Sequence, residues 1–202
     1  VVVADARADA ALVAADLLAQ AEHGPDSTAV CLTPSATLAA AVEAAVAEQL
    51  RALPRGSTAA ASLRSRGAVI VTKDLDEAIE LANRLAPEHL ELAVERPERL
   101  VPRIHHAGAI FLGHSTPEAF GDYLAGPNHV LPTGGSARSA SPLGTYAFVK
   151  RTSVIRASHA ALARLAPPLE RLAAMEGLSA HAAAVARRLG RGQPALVPSR
   201  AS

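Results

Sequence analysis

Short apolar runs alternate along this chain with longer stretches in which apolar residues return every three or four positions. Val1 to Ala4 reads as a short buried strand, and Asp5 to Glu22 follows with Leu12, Val13, Leu17 and Leu18 at helical spacing. A Gly24-Pro25-Asp26 breaker ends that helix. Thr28 to Thr33 is then a second strand and Pro34 to Leu53 a second helix. Past the loop around Pro54 to Ser57 the pattern predicts a short helical piece, a strand over Ala68 to Val71 and a helix over Leu75 to Leu85. Ala86-Pro87-Glu88-His89 reads as a loop, Arg96 to His105 as a helical stretch and Ala109 to Leu112 as a strand. Apolar strands alternating with amphipathic helices predict a mostly parallel sheet covered by helices.

From Thr116 to Thr152 the pattern lapses into a stretch rich in Gly, Pro and Ser, too long to be a simple connection and therefore a candidate for function. Within it, Thr145 to Lys150 predicts a strand. His159 to Met175 and Ser179 to Leu189 predict two helices separated by Gly177, with a tail of low order from Gly190 onward.

Composition narrows the picture. Half of the 202 residues are apolar but only 2% are aromatic, so the core must be built from Leu, Val, Ile and Ala. Twenty basic and nineteen acidic residues are mixed along the chain without a basic block, which argues against nucleic acid as a partner. Arg187, Arg188 and Arg191 read as cations at the end of a helix. No apolar run reaches the ~18 residues needed to cross a bilayer and no signal peptide is visible, so a cytoplasmic protein with no membrane partner is expected. The single cysteine, Cys31, lies in an apolar run and reads as a small buried hydrophobe. The chain opens at Val1 within a strand-like run and without an initiating Met, which reads as a fragment of a longer protein.

Four places concentrate chemistry. Gln20 and His23 stand three apart at the end of the first helix, sharing a face that could hold a metal or merely be a polar helix end. Glu88 and His89 are adjacent titratable groups after Pro87, candidates for acid and base work or a solvated helix entry. Asp122 and His129 lie among the glycines of the long loop, Asp122 as a hard ligand, His129 either functional or tying the loop to itself. Glu176 and His181 are five apart, about 140° round an unbroken helix. Either Gly177 breaks the helix between them or one of the two has no part in a site. His105, His106, His114 and His159 read as surface or packing residues.

The stretches Asp16 to Ser27, Ala86 to Glu91, Gly121 to Thr133 (continuing through Gly134-Gly135-Ser136-Ala137-Arg138) and Glu176 to Ala182 closely resemble histidinol dehydrogenase in identity, order and spacing. The resemblance covers essentially the whole chain. It implies a zinc held by Gln20, His23, Asp122 and His181, which orients L-histidinol through its imidazole and amine. It implies catalysis by Glu88 and His89, with NAD as hydride acceptor in the two oxidations from L-histidinol through L-histidinaldehyde to L-histidine. Gln20, His23, His89, Asp122, Glu176 and His181 would contact the substrate. Glu176 and His181 would come from the neighbouring subunit of a homodimer.

The expected fold is then an incomplete Rossmann-like α/β unit over residues 1–140, with helices on both faces of the sheet. A small helical segment over 141–202, swapped between subunits, would follow. No cofactor-binding residue is assigned, because no G-x-G-x-x-G follows a strand and the family's NAD contacts lie upstream of Val1. Two alternatives stay open: a zinc-binding, dimerising module without activity of its own, or a related enzyme acting on another amino or sulfur-containing alcohol, against which Glu176 and His181 argue.

Overall fold

A computed structural model of the chain describes residues 1–192. Most of the expected tail beyond Gly190 lies outside the described residues. Val1–Val149 forms one compact unit and the residues from Lys150 onward form a second.

The first unit is an α/β fold around a five-stranded, wholly parallel sheet. In chain order its elements are β1 (Val2–Ala4), α1 (Ala10–Ala21), β2 (Ala29–Thr33), α2 (Ala36–Leu50), α3 (Gly56–Arg66), β3 (Gly67–Val71), α4 (Leu75–Leu85), β4 (His89–Ala93), β5 (Ala109–Leu112) and α5 (Glu118–Tyr123). The strand order is β3-β2-β1-β4-β5, so the winding reverses direction at β1.

Alternate residues of each strand serve opposite layers. Val2, Ala4, Cys31 and Ala93 pack with Val13 and Leu17 of α1 and Val42 of α2. Val3, Val30, Leu32, Leu90 and Leu92 pack on the other face with Ala78, Ile79 and Ala82 of α4. Burial on both sides is why the strands read as continuous apolar runs. Helix starts follow their caps: the side chains of Asp9, Ser35 and Asp74 accept the N–H groups of Ala11, Leu38 and Glu77. The first helix accordingly begins at Ala10 rather than at Asp5.

Four expectations are corrected. His89 is not on a loop but is the first residue of β4, paired on one side with β1 and on the other with β5. Polar residues at positions 89 and 91 hid this central strand. Arg96 to His105 contains two single 3-10 turns, Pro97–Arg99 and Val101–Arg103, each with a proline in its first two positions that cannot donate to a longer helix. The long loop holds the short helix α5. Thr145 to Lys150 is not a strand: Thr145–Phe148 makes a 3-10 turn, since strand-like residue types without a neighbouring edge have nothing to pair with.

The second unit is a helical hairpin of α6 (His159–Met175), capped by the Ser158 hydroxyl, and α7 (Ser179–Arg188). Gly177, at φ +70°, ends α6 with Leu178 N–H on Ala173 O and its own N–H on Ala174 O. The helix is therefore broken between Glu176, at the end of α6, and His181, in the first turn of α7.

Candidate active site

Parallel strands wound in this order normally offer a ligand crevice at their carboxyl ends, beside the strand where the winding reverses. Here the turns that follow β1 and β4 are tied to each other at that end. Asp5 N–H donates to Ala93 O, Glu95 N–H donates to the Asp5 carboxylate, and Arg7 pairs with Glu95 at 2.7 Å.

A cavity lies at the amino ends of the strands. Of about 640 Å³, it is lined by Val1 at the head of β1, Gln20 at the end of α1, Arg66 before β3, and Glu88 and His89 at the head of β4. Gly135 and Arg138 of the loop after α5 close another side. Arg138 donates to the carbonyls of Gly135 and Arg84, holding that loop against the end of α4.

The backbone entering the site is tightly specified. Ala86 ends α4 at φ +50°, a left-handed conformation in a fully buried non-glycine residue. Pro87 and Glu88 then accept, through their carbonyls, the N–H groups of Gly108 and Ala109 at 2.9 and 2.8 Å. A Cβ at Gly108 would stand 2.5 Å from Glu88 O, so only glycine permits this approach. His89 O accepts from the Val1 nitrogen at 2.9 Å, and Glu91 N–H donates to Val1 O at 2.9 Å.

His89 is the centre of the side-chain cluster. Its Nδ1 lies 3.3 Å from Gln20 Oε1 and its Nε2 lies 3.5 Å from Asp122 Oδ1 on α5. With Nδ1 protonated the ring donates to the Gln20 amide oxygen, and with Nε2 protonated it faces the Asp122 carboxylate as a donor, so the proton's position on the ring is shared between these two neighbours. Nε2 is buried with no hydrogen-bond partner among the described residues. Burial pushes the imidazole below its usual pKa, against the Asp122 carboxylate, which pulls it up. Burial raises Glu88, with Asp122 adding to the shift and the His23 imidazole opposing it.

Behind each of these residues stands a buried acid. Asp16 precedes Gln20 by one turn of α1, Glu118 precedes Asp122 by one turn of α5, and Glu91 follows His89 by two on β4. All three are at most 9% exposed. Burial and the neighbouring Asp16 push Glu91 up to about 8, and burial pushes Glu118 up to about 7. Asp16 is also raised by burial, opposed by its hydrogen bond with Glu91. None of the three was singled out from the sequence. The one available signal was their helical or strand spacing from the residues that were.

The fold thus brings Gln20, His23, Glu88, His89 and Asp122 to one edge of the sheet, with His23 exposed at the end of α1. Glu176 and His181 belong to the second unit, where both are exposed. His129 is exposed, and it is Asn128, not His129, that ties the loop to itself, accepting from Val130 N–H. Among the described residues no group of three or more His, Cys, Asp or Glu side chains is placed to hold a metal. The amide oxygen of Gln20 and the carboxylate of Asp122 both meet the imidazole of His89. Cys31 is fully buried in the sheet, its thiol pushed up to about 12 by burial, and takes no part.

Comparison with known proteins bears on the family and the fold. The family model described as histidinol dehydrogenase matches residues 1–189. The histidinol dehydrogenase of Rhizobium meliloti (strain 1021) is 54% identical over 192 residues, covering 95% of this chain and 44% of that protein. The histidinol dehydrogenase of Sulfurimonas denitrificans is 49% identical over 188 residues, covering 93% and 44%. The crystal structure of histidinol dehydrogenase from Elizabethkingia anophelis superposes with a TM-score of 0.81 at 39% identity, covering 94% of this chain and 43% of that one. The chain spans less than half the length of these relatives. It belongs to the histidinol dehydrogenase family.

Proposed function

We propose that this chain supplies the zinc site and the acid/base pair of an NAD-dependent dehydrogenase that oxidises L-histidinol to L-histidine in the cytoplasm. The observation that carries the reading is the buried imidazole of His89 held at the cavity between Gln20, 3.3 Å from Nδ1, and Asp122, 3.5 Å from Nε2. A neutral imidazole so held is a base ready to accept a proton, and the Asp122 carboxylate stabilises the imidazolium that results. His89 takes the hydroxyl proton of histidinol as hydride leaves carbon for NAD. Glu88, whose burial holds its pKa above the ordinary carboxylate range, removes a proton from the water that adds to the aldehyde before the second hydride transfer.

The oxygen and nitrogen donors of Gln20, His23 and Asp122 suit zinc, with His181 as the fourth ligand. Zinc, when bound, supplies a Lewis-acid anchor for the substrate's amine and imidazole. Glu176 would hold the substrate as well. No helix among the described residues is long and apolar enough to cross a membrane.

The same reading makes the protein a homodimer in which Glu176 and His181 serve the neighbouring subunit's site. Its support is an apolar surface around the second unit: Val154, Ile155, Leu172 and Met175 are between 61% and 92% exposed, the last two on one side of α6. NADH formation from L-histidinol, with zinc present, tests the activity. A second reading, a zinc-binding and dimerising module without activity of its own, is favoured by the ties between the turns after β1 and β4, at the end where a dinucleotide would ordinarily sit. Zinc binding with no NADH formed selects it.

A further inference from the structure

The imidazole of His89, met at its two ring nitrogens by Gln20 and Asp122, also packs against Phe111 of β5. The two ring centroids are 5.7 Å apart and the planes are inclined by 49°. Phe111 is buried, and its register opposite Glu91 places it on the sheet face that carries His89. The Cε1–Cζ edge of the same phenyl ring meets α5 at Gly121. A Cβ there would lie 2.6 Å from both carbons, a distance no side chain tolerates. The next residue on α5 is Asp122, whose Oδ1 lies 3.5 Å from His89 Nε2. One phenyl ring therefore touches the imidazole on one element and the backbone that carries its acidic neighbour on another.

We propose that Phe111 is a positioning residue: in contact with both Gly121 and His89, it fixes the imidazole plane and the spacing between His89 and Asp122. Gly121 is the second half of the device, since a side chain there would displace the ring. The catalytic part of this proposal rests on the reading of His89 as the base. Its geometric part does not.

The test is Phe111→Leu, which removes the flat face while keeping an apolar filling. Turnover of histidinol should fall about ten- to a hundredfold, the scale expected when a reacting group is misplaced by an ångström or less. KM and zinc content should stay within about twofold, because the misplaced group acts in the chemical step rather than in binding. The ¹⁵N-imidazole resonances of His89, assigned by their loss in His89→Asn, should move. Gly121→Ala alone should give the same loss, and Phe111→Leu with Gly121→Ala should recover part of it, because the smaller side chain leaves room for the new methyl. Phe111→Met replaces Phe111→Leu if the latter does not fold. Unchanged turnover with unmoved His89 resonances overturns the proposal, as does parallel loss of zinc, KM and stability. If the protein does not oxidise histidinol yet the resonances still move, the functional reading fails while the positioning of His89 stands.

Discussion

Glu91 projects from the same face of β4 as His89, two residues deeper, so that a buried carboxyl group sits directly behind the imidazole that faces the cavity. Its pKa of about 8 and that of Glu118, about 7, both lie above the ordinary 4.5. For a carboxyl raised in the folded state, the unfolded chain releases its proton first. Stability is therefore full below pH 4.5 and is lost as pH rises through 7 and 8. Asp16 on α1 and Glu118 on α5 face Glu91, and both add to the effect of burial in pushing it up. His89, depressed by burial, acts in the opposite sense on the acid side, so the comparison is made against a variant. Glu91→Gln should flatten the decline in thermal stability between pH 5 and 8 by an amount on the order of a few kcal/mol. Equal slopes for the two proteins would show that Glu91 keeps its charge.

His89→Asn should lower histidinol turnover by about two to four powers of ten, the usual share of a general base, while zinc remains bound. Rate assays beside metal analysis decide it, and an unchanged rate removes His89 from the mechanism.

Glu88→Gln separates the two oxidations. The first hydride transfer should survive and the hydration step fail, so NADH yield per histidinol should fall from about two to about one as the aldehyde accumulates. A yield that stays at two assigns water activation elsewhere.

Gly108→Ala should cost about 1–3 kcal/mol in denaturant unfolding and also reduce turnover, because the methyl group must displace the carbonyl of Glu88. At Ala86 the backbone, not space, is limiting. Ala86→Val should destabilise by about 1–3 kcal/mol, a branched side chain being strained at positive φ, whereas Ala86→Gly should be near neutral. Equal tolerance of valine and glycine would mean that the turn relaxes.

Shared sites predict complementation. Subunits carrying His89→Asn and subunits carrying His181→Ala, each inactive alone, should regain about a quarter of wild-type activity when exchanged one to one, since mixed dimers hold one intact site. No recovery in demonstrated mixed dimers would place Glu176 and His181 in their own subunit's site.

The inner strands β1 and β2 and the long helices were readable from the sequence because burial on both faces leaves plain apolar runs, as at Val30 to Leu32, and because Ser35 and Asp74 mark helix starts. β4 was not, since function puts His89 and Glu91 where a buried strand should be apolar. Thr145 to Phe148 misled in the opposite way, having strand-like side chains but no strand beside it. Spacing and local chemistry marked Gln20, His23, Glu88, His89 and Asp122 as candidates in the first unit, and the motif resemblance gave them their expected roles. The acids behind them and Phe111 have meaning only through tertiary neighbours: Phe111 is 22 positions from His89 in the chain and becomes its partner through the pairing of β4 with β5.

The location of the cavity at the amino edge of the sheet has a consequence for how this protein can change. In most folds of this winding, the connections after the strands carry the chemistry, and altering them alters function. Here the turn after β1 and the turn after β4 are tied to each other by Asp5, Arg7 and Glu95 rather than to the site. Sequence drift, insertions and fusion points should be tolerated on that rim. The short links before β2 and β4, ordinarily the dull side of such a sheet, should be the part that natural variation leaves alone.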